Sequence, residues 1–145
     1  MAVINWGVDF YTGLHEVDCQ HQKLFALVNR LSAVPGDDPV ALDEAFRELS
    51  DYAQEHFTLE ERMMEEAGID AEHFSYHKNA HALFIRKLTE LWEARNDASA
   101  NTTEKMLGFL TTWILQHILH TDRRMALEVH DKLGTNAPHN MFTHF

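Results

Sequence analysis

Apolar residues recur three and four positions apart in four separate stretches of the chain, the spacing of a helix with one buried face. In the first, Leu24, Phe25, Val28 and Leu31 form the stripe and His21 extends it backward. This stretch runs from about Leu14 or Asp18 to Ala33, ahead of Pro35-Gly36-Asp37-Asp38; Gly13, His15 and Asp18 compete as its start. The second opens on Asp38 as N-cap with Pro39 at the first helical position, where a missing N–H costs nothing. Its stripe of Leu42, Ala45, Leu49 and Ala53 leads to His56, Glu60, Met63 and Met64, and Gly68 offers the left-handed stop after Ala67. Asp70 caps the third, which carries His77, Ala80, His81, Phe84, Leu88 and Leu91 on one face and runs to about Arg95. The fourth starts at Thr102 or Thr103, presents Met106, Leu110, Trp113 and His117, and stops at Gly134.

Three prolines, six glycines and dispersed β-branched residues leave little support for a sheet. The second and third helices, each about 25 residues, span roughly 40 Å. Short connections between such rods force antiparallel neighbours. The expectation is an all-α, up-down-up-down antiparallel four-helix bundle forming one domain over residues 1–145. It has a non-helical N-terminal arm at 1–13 and a C-terminal tail at 135–145. The aromatic arm residues Trp6, Phe10 and Tyr11 should pack on the bundle, whereas the tail, Phe142 to Phe145 included, can either cap it or meet another subunit.

Every stripe carries an imidazole, and the second also carries a carboxylate. His56 and Glu60 are four apart, as are His77 and His81. Four residues fall roughly 40° past a full turn, so each pair points one way and can offer two donor atoms to one centre. His117 and Asp122 are five apart, about 140° on a regular helix. If both face the same interior, the backbone between them must widen into a π-type turn, a distortion that favours functional sites. An isolated histidine on an apolar face is ordinarily a core residue bonded to a carbonyl. Here five imidazoles and two carboxylates converge, and each buried polar group without a partner costs about 1–3 kcal/mol. Against a domain stability of about 5–15 kcal/mol, a metal site is the better account.

The donor count exceeds one zinc, which takes four ligands or three and a water. Two five- or six-coordinate metals fit if the carboxylates bridge; imidazole suits iron, zinc, copper and nickel alike. The sequence contains no Glu-x-x-His, against a carboxylate-rich ferritin-like site, and no His-Glu-x-x-His protease motif.

Composition narrows the alternatives. The chain has 145 residues, 45% hydrophobic and 24% charged, enough to bury a core without staples. A net charge of −11 disfavours nucleic acid and anionic membranes as partners. No signal peptide is read at the N-terminus, and the uncharged stretch from Met106 to Thr121 is too short to cross a membrane. The single Cys19 fits a reducing, cytoplasmic setting and reads as a small core residue. Of the 11 histidines, His15, His73, His130, His139 and His144 fall off the ligand pattern and read as solvated. His120 points off the stripe, towards water or a surface carboxylate.

From Trp6 to about Met125 the chain resembles the hemerythrins, and among them the stand-alone bacteriohemerythrins. The resemblance rests on Trp6 and Gly13 in the arm, Asp18-Cys19-Gln20-His21, His56-Phe57-Thr58-Leu59-Glu60-Glu61, His77-Lys78-Asn79-Ala80-His81, and Trp113 through Asp122 with His117 between. It implies a non-haem centre of two iron ions. One is held by His77, His81 and His117 and the other by His21 and His56. Glu60 and Asp122 bridge both, with a solvent-derived oxo or hydroxo group as third bridge. It also implies that dioxygen binds end-on at the second iron, reversibly taking two electrons and the bridging proton. Leu24, Phe57, Trp113, Ile114 and Ile118 match the apolar residues around that open position. They would exclude water there, although each is equally well placed as plain core. The function so implied is a dioxygen carrier, store or scavenger, not an enzyme, acting as a monomer. The alternatives are an oxygen or redox sensor working through a partner, and a diiron enzyme acting on peroxide or nitric oxide.

Overall fold

The computed structural model describes residues 3–97 and 100–142. Helices α1 (His15–Ser32), α2 (Pro39–Ala67), α3 (Ala71–Glu93), α4 (Thr102–Gln116) and α5 (Arg123–Leu133) account for most of them. α4 and α5 are one rod joined by a π-helical segment, His117–Asp122, so the bundle has four rods. α1 packs on α2, α2 on α3, α3 on α4, and α4 back on α1. No helix among the described residues is long and apolar enough to cross a membrane.

Local chemistry sets most ends. The Asp38 carboxylate accepts from the Ala41 N–H, and Gly68 closes α2 at φ +67°. Asp70 does the same for the His73 N–H at the start of α3. Asp37 accepts from the N–H groups of Thr102 and Thr103, so α4 is capped from the α1–α2 connection, not by its own residue. Gly134 ends α5 at φ +71°. The start of α1 is different again. Asp18 is inside the helix, and its carboxylate reaches back to the N–H of Thr12 and Gly13 and the Thr12 hydroxyl.

The arm is not wholly irregular, since Val8–Phe10 form a 3-10 turn. It packs as expected: Trp6 and Phe10 meet Phe25 with ring centroids 5.3 and 5.2 Å apart. The tail folds back beside it through a 3-10 turn, His139–Phe142, and the Asn140 amide donates to the carbonyls of Tyr11 and Asp9. Residues 143–145 lie outside the described residues, so the tail's outer aromatic end and His144 do too.

Two apolar clusters fill the bundle. One holds Leu24, Phe25, Val28, Leu31, Leu42, Leu49, Phe57, Phe84, Leu88, Leu110, Ile114 and Ile118 among others. The other holds Leu14, Val17, Leu59, Met64, Ile69, Met125, Ala126, Val129 and Met141. On each rod the two sets change over within a short interval: around His21 on α1, between Phe57 and Leu59 beside Glu60 on α2, around His77 and His81 on α3, and around Asp122 between α4 and α5. A polar layer is thus sealed from water at both ends of the bundle.

Candidate metal centre

All seven singled-out side chains meet in that layer, and all are buried. The i, i+4 pairs on α2 and α3 turn inward together. The π segment does for His117 and Asp122 what a regular helix cannot, and leaves the Asp122 carboxylate with no exposure. Glu60 lies 3.3 Å from His21 Nε2, 3.0 Å from His56 Nε2, 3.4 Å from His77 Nε2 and 3.1 Å from His81 Nε2. Asp122 lies 3.0, 2.9 and 3.1 Å from the Nε2 atoms of His21, His77 and His117.

These separations are as short as hydrogen bonds but lack their direction. The Nε2 atoms of His21, His77, His81 and His117 and all four oxygens of Glu60 and Asp122 are buried without a hydrogen-bond partner. The donor atoms sort into two overlapping groups, each within 4.8 Å: Glu60, His77, His81, His117 and Asp122; and His21, His56, Glu60 and Asp122. The carboxylates belong to both. Orphaned donors in a nitrogen and oxygen set of this kind fit a pair of transition-metal ions, iron among them, which would satisfy every one of these atoms.

The electrostatics agree. Burial opposes charge on the His21 ring, but the adjoining Asp122 and Glu60 carboxylates outweigh it and raise that ring to about 10. The same balance raises His77 to about 9, while burial wins at His117 and lowers it. Burial pushes Glu60 and Asp122 up, yet the surrounding histidines hold both carboxyls well below the usual carboxylate range.

Leu24, Phe57, Trp113, Ile114 and Ile118 line a cavity of about 10 Å³, with Ala53 and Phe84 completing its apolar wall. That is room for roughly one water-sized molecule. Its polar floor is His21 and His56 of the four-donor group, His117 of the five-donor group and the shared Asp122. Trp113 stacks on His117 at 4.2 Å and 13°, and Phe57 stacks on His81 at 3.9 Å and 10°, which fixes both ring planes.

Residues 12–127 match the family described as the Hemerythrin HHE cation binding domain. The chain belongs to the hemerythrin family. It is 36% identical over 124 residues to a bacteriohemerythrin of Pseudomonas aeruginosa, covering 84% of this chain and 78% of that one. A bacteriohemerythrin of Stenotrophomonas maltophilia is 31% identical over 138 residues, covering 94% and 88%. A crystal structure of a hemerythrin mutant superposes with a TM-score of 0.78 at 24% identity, over 89% of this chain and 98% of that one, which establishes the shared hemerythrin fold.

Three expectations about the remaining residues need correction. His73 is not solvated: it is 2% exposed, and its Nε2 lies 3.1 Å from His77 Nδ1. It continues the i, i+4 row of His77 and His81 by one turn, the signal that would have found it. His130 is also buried, with Nε2 donating to the Thr12 carbonyl at 2.8 Å and Nδ1 2.7 Å from the Thr135 hydroxyl. It ties the arm to the end of α5. Cys19 is exposed rather than core, because Val17 and His21 take the inward positions on its turn, and its thiol lies 3.6 Å from His15 Nε2. His15, His120 and His139 are exposed as expected.

Proposed function

We propose that this chain is a reversible dioxygen binder whose seven buried side chains hold two iron ions. His77, His81 and His117 serve one iron, His21 and His56 the other, and Glu60 and Asp122 bridge them. The observation that carries this reading is the inequality of the two donor groups together with the position of the cavity. The group with fewer imidazoles presents both of them to the small apolar space, against one of three from the other group, so an exchangeable ligand there is small and uncharged. When bound, the iron pair supplies the two electrons that reversible dioxygen binding requires.

The protein's part is to position and to exclude. The stacked Trp113 and Phe57 hold His117 and His81 in plane. Leu24, Ile114 and Ile118 keep bulk water from the cavity, which disfavours anion entry and proton delivery to the ligand. No further acid or base lines that cavity beyond the cluster itself, which favours binding over turnover of a substrate. The chain works in this reading as a cytoplasmic monomer with dioxygen as its partner.

Iron analysis and an optical cycle test the proposal. Protein loaded anaerobically with Fe2+ should hold two irons per chain, gain a visible charge-transfer band on aeration, and lose it under nitrogen. A chain that retains no iron, or that bleaches once to a stable ferric form, overturns it.

A further inference from the structure

Three of the five clustered imidazoles present their second ring nitrogen to a side-chain partner, and the partners differ in charge. His56 Nδ1 lies 2.8 Å from the Gln20 amide oxygen, His77 Nδ1 lies 3.1 Å from His73 Nε2, and His81 Nδ1 lies 2.8 Å from Glu61 Oε2. Only Glu61 brings a formal charge. It follows Glu60 directly on α2, so it points about 100° away from the interior, into the groove between α2 and α3. That groove, about 270 Å³, is lined by Gln54, Thr58, Lys78 and Ala82 beside Glu61 and His81. Among the described residues no other cationic or imidazole group lies within ion-pair distance of the Glu61 carboxylate. Its charge is spent on one ring, which Phe57 holds flat from the other side.

We infer that Glu61 is a positioning residue that fixes the proton of His81 on Nδ1 and, through that ring, favours the higher oxidation state of the metal in the five-donor group. The inference rests on the two-metal reading above. A carboxylate that accepts the Nδ1–H draws the ring towards imidazolate, raises the donor strength of Nε2, and so stabilises the more highly charged ion. Gln20 gives His56 an acceptor of the same reach without the charge. The two halves of the centre are therefore supported unequally, and the carboxylate serves a ring that does not line the cavity.

The test uses full-length protein loaded with Fe2+, with iron per chain and the midpoint potential both measured. The potential is read by mediated optical titration, in which dithionite supplies one electron per ferric ion reduced. Glu61→Gln keeps the acceptor and removes the charge. It should retain two irons while the ferric-to-ferrous ratio at a fixed potential falls about tenfold, a rise of about 59 mV for a one-electron couple. Gln20→Glu adds the charge on the other side and should move the potential downward. Glu61→Ala removes the acceptor altogether and should weaken iron affinity ten- to hundredfold in competition with a chelator. If Glu61→Gln holds two irons at the wild-type potential, the inference fails while the two-metal reading stands. If wild-type protein takes up no iron, both fail. Should Glu61→Gln not fold, Gln20→Glu decides: an unmoved potential with iron intact overturns the inference.

Discussion

Glu60→Gln is the substitution that probes the centre most sharply, because it keeps the side chain's volume and removes the charge that four rings surround. The carboxylate is completely buried, and four Nε2 atoms lie 3.0–3.4 Å from its oxygens. Removing one partner from a buried ionic arrangement costs about 3–5 kcal/mol, since the remaining charges lose their compensation. A chain of this size loses roughly 3–5 °C of melting temperature per kcal/mol, so the drop should be about 9–25 °C. Loaded protein should fall further than chelated protein, because the stabilisation that a bound metal supplies is lost as well. Thermal melts of both variants, with and without chelator, paired with colorimetric iron analysis, give the answer. The expected iron content falls from two per chain to at most one. A variant that keeps two irons and the wild-type melting curve would refute the assignment of Glu60 as a shared ligand.

Other outcomes follow from the same geometry. His21 and His77 are raised to about 10 and 9, so near neutral pH both rings carry protons that metal must displace. Loading should release about two protons per chain, measurable in weakly buffered dye solution, and iron affinity should climb with pH up to that range. Stability of chelated protein runs the opposite way. The histidine contribution is complete below the ordinary value of 6.5 and is lost as pH rises through 9–10, while that of Glu60 and Asp122 is lost on acidification. Trp113→Ala removes a ring that stacks on His117 and meets Phe84 at a tilt of 48°, and opens the cavity. It should destabilise by about 3 kcal/mol and shorten the lifetime of the oxygenated band in a stopped-flow or spectral decay assay. Gly13→Ala should cost at least ~1 kcal/mol in a denaturant titration, because Gly13 sits at φ +77° and a Cβ there would lie 2.7 Å from Pro138 Cδ and 3.0 Å from His130 Nε2.

What could be foreseen from the chain was whatever local chemistry determines. Asp38-Pro39, Gly68, Asp70 and Gly134 mark helix ends by capping and left-handed stops, and the structure places those ends within a residue or two. The five-residue gap between His117 and Asp122 required a widened turn, and the π segment spans those two residues. Long-range features were not legible. α4 takes its cap from Asp37, 65 residues away in sequence, and His130 finds its acceptor on Thr12, 118 residues away. No window around either residue contains that information. Cys19 carries no local signal of its side, because a small thiol fits either face of a helix and the rotation of α1 is set by His21 and Val17. The spacing of His73 from His77 is visible in the chain, but an imidazole that supports another imidazole has no motif of its own.

The most direct measurement is the stoichiometry of dioxygen itself. Fully reduced protein with two irons per chain is exposed to a known quantity of dioxygen in a sealed cell, then equilibrated with vacuum. One dioxygen should be taken up per iron pair and the same amount returned, over repeated cycles. Dioxygen that is consumed and not recovered, or no uptake at all by iron-loaded protein, would contradict the account.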